Sequence, residues 1–237
     1  MVKSRPITPM SMWIILSGII APAIFWLGYL YFKDRVQPEP FRTTGITYIL
    51  GILAAILTIQ VFRVLPLLGI PEDPSALMDT NRLKFLLYSV GITGFLEEFC
   101  KFLPFFFVVL KFKFFDEEID GIIYSSIIGL GFASYENARY LIYMDGFELF
   151  GRAFTSPLTH AIFASIWGYT VGAAWFKSGS ILKASSLGLG LAALCHGFFN
   201  FLTTSPALRV GASILILIIW VWQIRLIERL RYRSDQA

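Results

Sequence analysis

The sequence predicts an all-α protein: a polytopic transmembrane helix bundle of seven spans, or eight if the third divides. Three observations predict it. Of 237 residues, 56% are hydrophobic and only 15% are charged, whereas a soluble domain carries about 25% charged residues. The mean hydropathy is +0.67. The apolar residues fall into runs long enough for the ~20 residues that cross a hydrocarbon core. These runs are continuous rather than alternating, which excludes barrel strands and leaves helices as the spanning structure.

The first span, about 11–32, follows Lys3 and Arg5. It is too long for a signal-peptide core and no small-residue cleavage site follows it, so it reads as an uncleaved span. A loop with Asp34, Arg35, Pro38, Glu39 and Pro40 leads to span 2, about 44–68, with Pro66 near its end. Residues 69–81 are a polar turn rich in proline and acid. Span 3, about 82–110, would be roughly 43 Å long at helical rise, and Gly91 and Gly94 mark where it could divide. The run Asp116–Asp120 reads as a solvated loop with Asp120 as N-cap of span 4, about 119–141. A short mixed segment, 142–151, suits the membrane interface. Spans 5, 6 and 7 cover about 152–176, 180–203 and 207–228. The spans nearly exhaust the chain, so 1–237 is expected to be one membrane-embedded domain. No repeat or low-complexity tract interrupts it, and nothing in the sequence speaks to oligomeric state.

The formal net charge of +4 is not a nucleic-acid signal. The basic residues sit between the apolar runs and at the C-terminus (Arg225, Arg229, Arg231, Arg233), as topology determinants do. With the N-terminus outside, inner segments carry eleven Lys and Arg and outer segments eight. That bias favours N-out and C-in. Cys100 and Cys195 both lie within apolar runs and read as small buried hydrophobes rather than a disulfide.

Against this background several residues stand out. An ionisable group at the bilayer centre costs roughly 2.5–3.5 kcal/mol on insertion scales and is functional by default. The spans nevertheless hold Glu97, Glu98, Lys101, Glu136, His160 and His196, together with Asn137 and Asn200. Lys101 follows Glu97 by four residues and Glu98 by three, so it can reach either carboxylate. His196 and Asn200 share one face of span 6 at the same spacing, as do Phe132 and Glu136 on span 4. Following the chain through alternating spans, the end of span 4, the start of span 5 and the end of span 6 face one side. The polar groups can therefore meet at one depth, displaced toward the side that the charge count makes extracytoplasmic.

The segment Phe95-Leu96-Glu97-Glu98-Phe99-Cys100-Lys101 resembles the EExxK motif of the PrsW family of membrane-embedded proteases. Asp120-Gly121 with Gly129–Asn137 is similar to that family's second block. His160–Phe163 and His196–Asn200 are similar to its third and fourth, and Tyr31–Pro40 to its loop before span 2. The motif-bearing core is about 82–203. The resemblance also implies kinship with type II CaaX prenyl endopeptidases and bacteriocin-immunity proteins. The prenyl-protease branch carries Arg at the position of Lys101 and His at that of Glu136, so this chain is closer to the PrsW branch. The resemblance implies a multi-pass protein of the bacterial cell membrane that cuts a membrane-protein substrate, a single-pass anti-sigma factor, on the extracytoplasmic side.

Two mechanisms fit these residues. In one, Glu97, aided by Glu98, activates a water by general base catalysis. Glu136 or His160 orients that water or returns the proton, His196 and Asn200 donate to the oxyanion, and Lys101 and Asn137 support. In the other, His160, His196, Glu136 and Glu97 hold a catalytic zinc, although no H-E-x-x-H motif is present. From a different class, the same polar groups could line the pathway of a proton or ion transporter, or belong to a non-catalytic membrane scaffold.

Overall fold

The computed structural model describes residues 9–35, 37–144 and 146–234, all helix or connecting turn. Lys3 and Arg5 lie outside the described residues. The elements are α1 (Pro9–Lys33), α2 (Phe41–Val64), α3 (Ser75–Thr80), α4 (Arg82–Tyr88), α5 (Phe95–Phe107), α6 (Glu118–Tyr140), α7 (Gly146–Phe176), α8 (Ile181–Thr203) and α9 (Arg209–Ser234). Local chemistry marks several starts. Pro40 precedes α2. Asn81 caps α4 by accepting from Lys84 N at 2.9 Å. Glu117 caps α6 in a reciprocal box with Asp120. The N-cap is therefore Glu117, and Asp120 is the third helical residue. Asp120 is buried rather than solvated, because its carboxylate accepts the Asp116 and Glu117 amides.

Among the described residues, four helical stretches are long and apolar enough to cross a membrane: Met12–Lys33, Phe41–Leu68, Ile181–Thr203 and Arg209–Tyr232. These form much of the outside of the bundle, and their exposed Leu, Ile, Phe and Trp side chains suit lipid. The other three segments expected to span, α4–α5, α6 and α7, are not among these four. Helices α6 and α7 form the interior, and they approach through small residues as membrane helices do. A Cβ on Gly129 would sit 2.5 Å from the His160 carbonyl oxygen, and one on Gly121 would sit 2.3 Å from that of Gly168. The same close approach joins α2 to α6 at Gly51 and Gly131.

The expected third span is one rod with a wide π-helical turn, Ser89–Gly94, between α4 and α5. Gly91 and Gly94 thus mark a bulge rather than a division. Such turns cluster at functional sites, and here it lets α8 come close. A Cβ on Gly94 would lie 2.5 Å from Ala193 O, and one on Gly197 would lie 2.3 Å from Val90 Cα. Within α5, Phe102 and Phe105 are buried, while Phe106 and Phe107 face out. Cys100 and Cys195 are free thiols.

Contacts Lys33–Glu228, Gln37–Asp116 and Lys177–Glu118 gather the 34–40, 108–117 and 177–180 connections at one end of the bundle. The loop at this end buries Asp34 and Glu39. Asp34 accepts the Glu39 amide, and the Tyr124 hydroxyl donates to Glu39. The site described next lies nearer the opposite end, with Glu136 one turn from the C-terminus of α6.

Candidate active site

The structure brings Glu97, Glu98 and Lys101 of α5, Glu136 of α6, His160 of α7 and His196 of α8 into one cluster. Burial orders them. The Glu98 and Lys101 side chains are 0% exposed, that of Glu97 is 11% and that of Glu136 is 22%. The cluster is therefore sealed behind Glu98 and open toward Glu97 and Glu136.

Two carboxylate–imidazole pairs frame it. Glu98 Oε1 lies 2.7 Å from His196 Nδ1, and Glu136 Oε2 lies 3.0 Å from His160 Nε2. Lys101 links the pairs, with Nζ 2.8 Å from Glu98 Oε1 and 2.9 Å from His160 Nδ1. It also lies 4.2 Å from the Phe132 ring centroid and 4.0 Å from Glu97 Oε2. An ammonium has donors only. His160 therefore accepts at Nδ1 and carries its proton on Nε2, which it donates to Glu136. His196 donates from Nδ1 to Glu98. Its Nε2 lies 3.5 Å from Glu97 Oε2, a buried oxygen with no hydrogen-bond partner among the described residues.

Helix α7 supplies more of this site than its single histidine. Arg152, Ser156, His160, Phe163 and Trp167 recur at intervals of four, four, three and four, along one face. Arg152 Nη2 reaches Glu136 Oε2 at 3.0 Å, and Ser156 Oγ approaches the same oxygen at 3.5 Å. Phe163 stacks on the His196 ring at a centroid distance of 5.0 Å. Trp167 Nε1 donates to Glu98 Oε2 at 2.9 Å. Sequence reasoning named none of these four as site residues, although Phe163 closes the His160–Phe163 block. The signal was available as helical spacing from His160, but an Arg near a span boundary and a Trp in an apolar run have ordinary topological readings.

The remaining two expected residues are placed differently. Asn137 is buried but faces α7, where its amide donates to the Ala153 carbonyl at 3.4 Å and its own carbonyl oxygen has no partner among the described residues. Asn200 is half-buried one turn beyond His196, and its side chain takes part in no hydrogen bond among the described residues.

The donor chemistry suits a transition metal. Glu97, His160 and His196 each offer a ligand atom, all within 4.8 Å of one another. His₂Glu is a known catalytic zinc set. The unpartnered Glu97 oxygen and the His196 Nε2 lone pair already face each other, and Glu98 backs His196 as an outer carboxylate does. The third ligand is less ready, because His160 engages Lys101 through one nitrogen and Glu136 through the other.

Fold and cluster together define a class: a helical membrane protein holding a buried acid–imidazole site that could work on water. The comparisons with known proteins supply the family. The profile of the PrsW family intramembrane metalloproteases matches residues 39–225. A protein of Oceanobacillus iheyensis named Protease PrsW is 37% identical over 189 residues, covering 79% of this chain and 82% of that one. Proteins of the same name from Bacillus subtilis and Geobacillus kaustophilus are 32% and 31% identical. They cover 82% and 95% of this chain, and 84% and 96% of their own. No solved structure matches the chain. The chain belongs to the PrsW family of intramembrane proteases and is a membrane-embedded peptidase.

Proposed function

We propose that this protein hydrolyses a peptide bond of a membrane-protein substrate by water activated at Glu97. One observation carries the reading. Glu97 Oε2 is buried, unpartnered and 3.5 Å from His196 Nε2, while both oxygens of the adjacent Glu98 are taken by donors. A water giving one proton toward Glu97 and the other toward His196 would be oriented by two acceptors. As its oxygen attacks the scissile carbonyl carbon, Glu97 takes the proton, a role worth about 10²–10⁴-fold. The oxyanion is then met by a donor. In this reading Asn200, whose side chain takes part in no hydrogen bond among the described residues, serves as that donor, and His196, which donates to Glu98, keeps Nε2 as an acceptor. The C–N bond breaks as Glu97 returns the proton to the leaving amine. Glu136 anchors His160, and His160 with Glu98 fixes Lys101 as the resident cation. In this reading Asn137 holds α6 to α7 beside Glu136.

A second reading is favoured by the Glu97–His160–His196 geometry and by the metalloprotease label of the family. A zinc ion held by those three residues, with Glu136 beside them, would acidify bound water and polarise the carbonyl. In either case the proposal extends to a seven-span protein of the bacterial cell membrane. Helices α4–α5, α6 and α7 would cross inside the ring of apolar helices, with the site toward the extracytoplasmic side. The substrate we propose is a single-pass anti-sigma factor.

The test compares membrane-protein fragments in cells making the wild type and the Glu97→Gln variant at matched abundance. New extracytoplasmic fragments that depend on Glu97 support the reading. Identical fragment sets would refute it. Proton or ion flux through wild-type liposomes, without cleavage, would put a transporter in its place.

A further inference from the structure

Glu98 is enclosed and its two oxygens take three donors. Oε1 accepts from Lys101 Nζ at 2.8 Å and His196 Nδ1 at 2.7 Å, and Oε2 accepts from Trp167 Nε1 at 2.9 Å. The terminal torsion of a glutamate is broad and roughly two-fold. Donors on one oxygen alone would leave the carboxylate plane free to turn. A donor on the second oxygen locks it. Trp167 is itself 0% exposed, held edge-on by Phe102 at 5.5 Å and Phe105 at 5.1 Å. Its indole can only donate, so it fixes Glu98 as an acceptor and takes no part in proton traffic.

We propose that Trp167 is a positioning residue. Acting through Glu98, it keeps the proton of His196 on Nδ1 and so turns the Nε2 lone pair toward Glu97. The chain of contacts runs from α7 to α5 to α8, and its last member faces the base. The effect on turnover rests on the proteolytic reading above; the effect on the imidazole does not.

The protein has two histidines, so ¹⁵N-histidine labelling of the full chain in detergent micelles reports two rings, told apart with a His160→Gln variant. The wild type should show His196 with a pyrrole-type Nδ1 and a pyridine-type Nε2. Trp167→Phe should spread His196 over both tautomers and leave His160 unchanged, and Glu98→Gln should disturb the same ring. With a fluorescently tagged single-pass membrane protein as reporter, Trp167→Phe should lower kcat about 10–100-fold, part of the roughly 10²–10⁴-fold that a positioned general base contributes. KM should stay within about twofold. If Trp167→Phe does not fold, benzothienylalanine at position 167 keeps the bicyclic shape and removes only the N–H.

A His196 tautomer indifferent to the loss of the indole N–H would overturn the proposal. So would a wild-type His196 protonated on Nε2, or equal disturbance of both rings, which is what mere packing would give. If the tautomer responds but no membrane protein is cut, the proteolytic reading fails and this inference stands. If cutting is real and the tautomer does not respond, the inference alone fails.

Discussion

Removing the Lys101 ammonium should unfold this protein more readily than any change at its lipid-facing surface. Lys101 and Glu98 are both fully buried and 2.8 Å apart. At an effective dielectric of about 20 that separation gives about 6 kcal/mol of attraction, and the 4.0 Å contact with Glu97 gives about 4 kcal/mol more. Most of this offsets the desolvation of the three groups. What remains visible on mutation is the stranding of a buried carboxylate, about 3–5 kcal/mol. For a chain of this length Lys101→Met should therefore lower Tm by roughly 10 °C. The double variant Lys101→Met/Glu98→Gln removes both charges and should recover about half of the loss. Recovery is incomplete because the Trp167 and His196 donors then share one amide oxygen. The assay is thermal unfolding in detergent, followed by helical circular dichroism. A Lys101→Met protein that melts with the wild type would refute the reasoning, as would a double variant less stable than the single one.

Three further outcomes are expected. Gly129→Ala places a methyl 2.5 Å from the His160 carbonyl oxygen. It should cost about 1–3 kcal/mol and abolish cleavage by shifting His160, whereas Gly45→Ala, which meets nothing within 4 Å, should leave Tm and cleavage intact. Cleavage should survive a strong chelator; loss reversed by zinc would move the mechanism to the metal reading. Stability should fall as pH rises from about 4 to about 9. Burial raises Asp34 to about 7, with Asp120 and Glu117 adding to it against the Glu39 amide and Arg231. Burial likewise raises Glu39 to about 9, against the Tyr124 hydrogen bond and with Asp120 and Asp34 adding to it. Both groups bind protons more tightly folded than unfolded, so Asp34→Asn and Glu39→Gln should flatten the melting profile, and a wild-type Tm constant over that range would contradict the assignment.

What the sequence made legible follows from what membranes penalise. A carboxylate or imidazole in an apolar run is anomalous wherever it falls, so Glu97, Glu98, Lys101, Glu136, His160 and His196 announced themselves. Their convergence could be read from helix direction alone. Groups that are ordinary in membrane helices stayed hidden. Trp167 looks like packing until its N–H is seen on Glu98, and Arg152 looks like a topology charge until it is seen on Glu136. The π-helical turn was invisible because Gly91 and Gly94 are equally compatible with a kink or a break. Hydropathy is also lower in the interior than in the four outer helices. Helix α6 is buried along almost its whole length but is rich in Ser and Gly, because it touches other helices rather than lipid, so its polarity reflects packing.

Glu97 and Glu98 show how one helix gives two identical side chains different surroundings. Consecutive residues on a helix point about 100° apart. Glu98 points into the seam between α7 and α8, where three donors meet it. Glu97 points toward the opening, where its oxygen faces an imidazole lone pair. A carboxylate surrounded by donors is a poor proton acceptor but a firm anchor; one facing an acceptor is a poor anchor but ready to take a proton. The paired acids of the motif are thus not redundant. Exchanging their surroundings would require rotating α5 by the angle between them, and the tight contacts of Gly94 and Gly197 against their neighbours oppose that rotation.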